Sequence, residues 1–256
     1  MEWQDEAIVI RTAKQGNNAL IVDIMTKERG ICSGIIRGVK NALPICQPGN
    51  KVEVRWSGRL AEQLGRLEID LIRTIIPAIF QDAMKMHAVT AISMLLSRHI
   101  PPRQTDQILY ASCNHFFDVI NIEQDPLVWL ATYVEFELYL LSTLGYGLDV
   151  STCAGAGEPA QLVYVSPKTG RSVCKFCGAP WHNRLLHLPP WLRPQTDKTS
   201  TSKPIDIREI IDGLTLTRYF LDKCVLTRWE RSGFTAREQM MTLIMRQHDE
   251  LAGMEA

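Results

Sequence analysis

The sequence predicts a multidomain α+β protein: a closed β-barrel at residues 1–78, then an all-α domain at residues 79–256 that carries an inserted β-hairpin. Two changes in the spacing of apolar residues support this division. Up to Thr74 apolar and polar residues alternate, as in half-buried strands, whereas beyond Pro77 the apolar residues recur at helical spacing. Residues 148–189 then interrupt the helical pattern with two short β-branched runs, which predict the hairpin.

The first domain contains five runs rich in β-branched residues. These runs are residues 7–10, 19–25, 30–38, 51–56 and 66–72. Segments rich in Gly, Asn and charged residues separate them and predict turns. Five short strands in about seventy residues are typical of a Greek-key barrel of the OB type, which presents a curved face to a ligand.

Charge within the barrel domain predicts where such a ligand binds. The whole chain has 28 Lys and Arg against 28 Asp and Glu, which argues against a strongly basic protein that coats nucleic acid. Residues 1–78 hold eleven cations against nine carboxylates, and most of the cations fall at turns and strand ends, where a barrel would gather them on one rim. The predicted phosphate-binding residues are Arg11, Lys14, Lys27, Arg29, Arg37, Lys40 and Arg55.

Trp56 is the predicted base-stacking residue of the same surface. Two alternatives stay open from the sequence. The cations are also compatible with an ordinary solvated surface, and Trp56 is equally compatible with a place in the core.

The second domain shows five amphipathic stretches. Helices are predicted at residues 83–96, 106–120, 126–144, 205–224 and 235–251. The third has Asp125 as its N-cap and Pro126 at its first position, and Gly145 follows its end. Residues 195–203 are polar and predict a linker or loop.

The inserted hairpin, at about residues 148–189, carries cysteines at the spacing of a zinc knuckle. The candidate metal ligands are Cys153, Cys174, Cys177 and His182, with His187 as an alternative to the last. A zinc-ribbon-like site normally takes four ligands from two Cys pairs, but Ala156 stands where a partner of Cys153 would be. Zinc is therefore expected as a cofactor only if His182 or His187 completes the ligand set. A metal-free hairpin held by apolar contacts stays open as the alternative.

Several functional classes lack their sequence signals. Neither a secretory signal nor an uninterrupted apolar run of membrane-spanning length is found, and seven scattered Cys indicate a reducing cytoplasm. The Gly145-Tyr-Gly147 segment is too short for a dinucleotide-binding loop, and neither a phosphate-binding Lys-Ser/Thr loop nor a Ser-His-Asp signature is present. We therefore expect a binding protein without enzymatic activity.

Over nearly its full length the sequence resembles the bacterial RecO family of recombination and repair mediators. The resemblance rests on the opening residues 3–10, the Gln47-Pro48-Gly49-Asn50 turn, the cysteine-bearing hairpin and residues 232–237 before the last helix. It implies an OB domain with a helical domain, and binding of single- and double-stranded DNA. It further implies strand annealing and, with RecR, loading of RecA on strands coated with the single-strand-binding protein, as in the RecF recombination pathway.

The resemblance also implies a cytoplasmic, nucleoid-associated protein, which we expect to be a monomer on its own and to have no membrane partner. Family members with two complete Cys pairs bind zinc, and the chain departs from them at Ala156. The alternative function is a protein–protein adaptor whose barrel binds mainly a partner protein. Titration with single-stranded DNA in the absence of partners distinguishes the two.

Overall fold

The fold is given by a computed structural model, which describes residues 1–60, 63–155, 162–193, 204–225 and 234–254. The chain forms two compact units, Met1–Ile122 and Glu123–Ala256. In the described part of the chain, no helix combines the length and the apolarity needed to cross a membrane. Ala156 and the predicted linker at residues 195–203 lie outside the described residues.

The first unit begins with a five-stranded sheet that closes into a barrel in the order β1-β2-β3-β5-β4. The strands are β1 (Glu2–Gln15), β2 (Ala19–Thr26), β3 (Gly30–Arg37), β4 (Lys51–Ser57) and β5 (Gly65–Arg73). The long β1 pairs with β4 through its first half and with β2 through its second half. A short parallel contact between β3 and β5, at Gly34 and Gly65, closes the ring. All five predicted strands are confirmed.

Alternation of side chains along the strands fills the barrel. In β4, Val52, Val54 and Trp56 are buried while Glu53 and Arg55 are exposed, as a period of two requires. The buried cluster also takes residues from β1, β2, β3 and β5 and from the connection after β3. This dry interior fixes the register of each strand, because a slip of one residue would turn its apolar side chains to water.

Four helices complete the first unit: α1 (Val39–Ala42), α2 (Ile76–Phe80), α3 (Ala83–His99) and α4 (Gln107–Ile122). Asp82 caps α3 by accepting a hydrogen bond from the Lys85 amide at 3.1 Å. The connection after α3 pairs with the barrel, since Arg103 donates its amide proton to the Ile31 carbonyl at 2.9 Å. The predicted domain boundary between residues 78 and 79 falls inside this unit, and it stays a prediction.

The second unit contains α5 (Pro126–Thr143), α7 (Ile207–Phe220), a π-helical turn (Leu221–Val225) and α8 (Thr235–Met254). As predicted, Asp125 caps α5, accepting from the Leu127 amide at 2.9 Å. The inserted hairpin lies between α5 and α7. It forms a three-stranded sheet of β6 (Leu162–Val165), β7 (Ser172–Cys174) and β8 (Leu186–His187), in the order β7-β6-β8. A four-residue helix α6 (Lys175–Gly178) and a 3₁₀ helix (Ala179–Arg184) connect β7 to β8.

A buried ion pair joins the helices of the second unit. The Arg237 guanidinium donates to both carboxylate oxygens of Glu137, each at 2.7 Å, and the two side chains are 4% and 0% exposed. Arg237 also donates to the Leu214 carbonyl and to the Thr217 hydroxyl, both at 2.9 Å. Thr217 in turn donates to Glu137 at 2.6 Å, so the charges are surrounded by hydrogen bonds.

Candidate nucleic-acid interface and cysteine cluster

Five of the seven predicted phosphate-binding cations lie at the two ends of the barrel, whereas Arg11 and Arg55 lie within β1 and β4. At the β1–β2 end, Lys14 pairs across to Leu20 and Arg37 pairs with Ala19, while Lys40 follows on α1. At the β2–β3 end, Lys27 and Arg29 occupy the turn. Since β2 has eight residues, the two ends are about 25 Å apart. The expectation of a single basic rim is therefore wrong, because consecutive hairpin turns fall at opposite ends of a barrel.

Ion pairing separates the seven cations into two classes. Arg11 lies opposite Asp23 and binds it at 3.2 Å, and Arg55 binds Glu68 at 3.4 Å. The other five are exposed and form no ion pair within the residues that the structure describes. They are Lys14, Lys27, Arg29, Arg37 and Lys40. These five are free to contact an external anion.

Trp56 is not placed to stack on a base, so that prediction is corrected. It is 2% exposed, and its Nε1 donates to the Ser33 carbonyl at 3.2 Å. Its ring stacks on Trp3, with centroids 5.7 Å apart and planes 10° from parallel. The alternation along β4 turns Trp56 into the barrel, and the sequence-based alternative of a core residue is the one that holds.

Trp3 is the aromatic residue of this region that reaches the surface, although no sequence pattern distinguishes it. Arg29 lies over the Trp3 ring, 5.1 Å from its centroid. Together with Arg103 they line a cavity of about 270 Å³ at the β2–β3 end. Arg103 reaches it from the α3–α4 connection, a long-range arrangement that no local pattern signals.

A second cavity, of about 300 Å³, lies over the seam between β3 and β5 and is lined by Arg37, Arg66 and Ile35. Arg66 pairs with Ile35 across the seam and binds Glu68 at 2.9 Å. Arg66 belongs to the barrel cations, but nothing in its sequence neighbourhood distinguishes it. The seam therefore brings one free guanidinium and one paired guanidinium beside the apolar side chains of Ile35 and Leu64.

Three cysteines of the hairpin come together as predicted. The sulfur atoms of Cys153, Cys174 and Cys177 all lie within 4.8 Å of one another. The Cys153 sulfur accepts from the amides of Cys174 at 3.2 Å and Gly155 at 3.4 Å, and the Cys174 sulfur accepts from the Cys177 amide at 3.4 Å. Amide donors of this kind stabilise thiolates, so the cluster suits a thiophilic cation such as Zn²⁺.

The free thiols interact strongly. Hydrogen bonding with Cys174, followed by burial and hydrogen bonding with Cys153, raises the pKa of Cys177 to about 11. Without a metal, the thiol of Cys177 is therefore protonated at neutral pH.

His182 does not join the cysteine cluster, which corrects that prediction. It is exposed on the 3₁₀ helix, and its Nδ1 lies 3.0 Å from the Ala179 carbonyl oxygen. Its alternative, His187, is exposed on β8 and packs against Tyr164. Among the described His, Cys, Asp and Glu residues, only the three thiols cluster at metal-binding distance.

Comparison with known families matches both parts of the chain. Residues 1–75 match the family described as Recombination protein O N terminal, and residues 81–232 match Recombination protein O C terminal. The first match spans the barrel, and the second spans the hairpin and most of the helices.

Similar proteins align over nearly the whole length. The DNA repair protein RecO of Bradyrhizobium sp. (strain BTAi1) is 36% identical over 254 residues, which is 98% of this chain and 99% of the relative. RecO of Rhodospirillum centenum is 35% identical over 227 residues, 87% of this chain and 86% of the relative. RecO of Rhodospirillum rubrum is 34% identical over 250 residues, 96% and 97% respectively. The chain therefore belongs to the RecO family of DNA repair proteins.

Proposed function

We propose that the protein binds single- and double-stranded DNA through an OB-type barrel and promotes annealing of complementary strands. The observation that carries the proposal is the set of five exposed, unpaired cations on a closed barrel with the order β1-β2-β3-β5-β4, in a chain of a DNA repair family. Strand order and the parallel β3–β5 closure support the OB assignment, since that fold is a five-stranded Greek-key barrel.

Annealing needs no bond-making chemistry. Two strands repel each other through their phosphates, and Lys and Arg that replace condensed counterions reduce this repulsion while raising the local strand concentration. We accordingly propose a non-enzymatic role in the RecF recombination pathway. In that role the protein works with RecR and the single-strand-binding protein to load RecA, as a cytoplasmic, nucleoid-associated monomer.

Removing two free cations of the β1–β2 end tests the barrel interface. For R37Q/K40Q we expect weaker binding to oligothymidylate and a salt dependence of log K whose slope falls by about 0.7 unit per lost phosphate contact, as for single strands. The measurement is fluorescence anisotropy over a series of salt concentrations.

The matched control is R11Q/R55Q, which removes the same charge from residues that already bind Asp23 and Glu68. Because those guanidiniums are engaged, the control should change the slope less than R37Q/K40Q does. An equal slope change in both variants, or none in R37Q/K40Q, would remove the β1–β2 end from the interface.

We further propose that Cys153, Cys174 and Cys177 hold Zn²⁺. Bound zinc would cross-link the start of the hairpin to its knuckle and so stabilise this zinc-ribbon-like insertion. The three residues supply thiolates, and the amides of Gly155, Cys174 and Cys177 stabilise two of the three sulfurs.

Elemental analysis tests the metal. We expect about one zinc per purified chain, lost in C174S/C177S and kept in H182A, because His182 lies outside the cluster. Zinc affinity should fall as pH falls, since the raised pKa of Cys177 means that binding must displace a proton. Zinc-free protein at neutral pH would refute the assignment and favour the metal-free hairpin.

A further inference from the structure

The hairpin of the second unit is the most basic part of the described chain. Residues 162–193 contain five Lys and Arg and no Asp or Glu, although the whole chain is neutral. The barrel domain, by comparison, has eleven cations against nine carboxylates. A local excess of this kind produces a positive potential that attracts polyanions.

Two large aromatic side chains are exposed within this segment. Phe176 is 84% exposed on α6, and Trp181 is 57% exposed on the 3₁₀ helix that follows. Every residue from Ala179 to Arg184 is exposed. Phe and Trp favour burial, so two of them held in water within six residues of one another indicate an interaction surface.

The neighbouring cations are available. Lys168, Lys175 and Arg184 are exposed and form no ion pair within the described residues, whereas Arg171 binds Asp149 at 3.5 Å. Arg184 lies 5.9 Å from the centroid of the Trp181 ring, which places a guanidinium beside an aromatic face. Cations interleaved with aromatic faces are the combination that binds single-stranded nucleic acid, since the cations contact phosphates and the rings stack on bases.

The segment is also held in place. The Cys174 side chain caps α6 by accepting from the Cys177 amide, and β6 pairs with both β7 and β8 on either side of it. Gly178 is buried against the Tyr164 ring, where a Cβ would be too close. The exposed rings therefore belong to an anchored element, which lowers the ordering cost of binding.

We propose that the hairpin surface, formed by Lys175, Phe176, Trp181 and Arg184, is a second binding site for single-stranded DNA. Phe176 and Trp181 stack on unpaired bases, and Lys175 and Arg184 contact phosphates. This inference rests on the proposed function, because it adds a site to a DNA-binding protein. Annealing requires two strands, and with one surface on each unit the chain binds one strand on the barrel and one on the hairpin.

Two pairs of substitutions in the full-length chain test the surface. F176A/W181A should lower affinity for oligothymidylate at the hairpin by at least about fivefold per lost stack, with little change in salt slope. K175Q/R184Q should lower the slope by about 0.7 per lost contact on single strands. The unsubstituted protein should bind two short oligothymidylates per chain, and each variant should bind one. The affinity of F176A/W181A for duplex DNA should stay unchanged, because paired bases present no free face to stack on.

The matched control is F80A/R208Q. Phe80 is 84% exposed, like Phe176, and Arg208 is an exposed arginine of the second unit. Because neither residue lies in the hairpin, the control should bind DNA as the intact chain does. Circular dichroism and melting curves establish that each variant is folded. If F176A/W181A fails to fold, K175Q/R184Q still tests the surface, because it changes only exposed charges.

The outcomes separate the two proposals. If both hairpin variants keep two strands per chain and full annealing activity, the hairpin surface is not a DNA site, which overturns the inference. Barrel binding can still be intact in that case, as the R37Q/K40Q slope reports. If intact protein binds no oligonucleotide at all, the proposed function fails together with the inference.

Discussion

Replacing Arg237 with leucine is expected to lower the free energy of unfolding by about 3–5 kcal/mol. The substitution leaves the Glu137 carboxylate, which is 0% exposed, without its two guanidinium hydrogen bonds. It also removes a donor from the Leu214 carbonyl and from Thr217. The destabilisation comes mainly from the uncompensated buried charge, because a buried ion pair itself gains little over well-packed apolar side chains.

Urea unfolding followed by circular dichroism measures this effect. R246L is the matched control, since Arg246 is an exposed residue of the same helix, α8, and its loss should change stability by about 0.5 kcal/mol or less. The double variant E137L/R237L should recover part of the loss, because it leaves no unpaired charge. A midpoint for R237L equal to that of R246L would show that water or another group satisfies Glu137.

This ion pair also shows where sequence reasoning stops. Glu137 lies within the apolar pattern of α5, and its partner follows one hundred residues later, so no periodicity connects the two. Strands and helices were predictable because alternation and helical spacing are local consequences of burial on one side. Pairings across the core depend on how separate elements pack, and a single sequence does not carry that information.

The candidate site divides in the same way. The sequence identified the cations of the barrel turns and the three cysteines, because turn residues and short Cys spacings are local signals. It wrongly placed Lys27 and Arg29 on the same rim as Arg37. The correct placement depends on the pairing of β2 with β3, which puts the two groups at opposite ends of these strands. The basic hairpin was open to prediction, since a count of charges over residues 162–193 gives five cations without an acid.

Trp56→Ala is expected to cost about 3–5 kcal/mol of stability. The ring fills the barrel interior beside Trp3, and it lies so close to Gly58 and Gly65 that a Cβ at either glycine would overlap it. Removing the ring opens a cavity that these backbone segments cannot fill, and it leaves the Ser33 carbonyl without its indole donor. Trp3→Ala should cost less, because Trp3 is only half-buried.

Comparing stability with DNA affinity decides between the two roles of Trp56. Trp56→Phe keeps most of the side-chain volume, so the folded variant should bind oligothymidylate with an affinity within about twofold of that of the unsubstituted protein. Its melting temperature should fall, as expected for a core residue whose indole hydrogen bond is lost. A folded Trp56→Phe variant of unchanged stability that lost affinity would instead mean that the ring turns outward to meet a base. Trp3→Ala provides the comparison, because the Trp3 ring lies beside Arg29 at the surface cavity. This substitution should lower the affinity for oligothymidylate while it changes the melting temperature less than Trp56→Ala does.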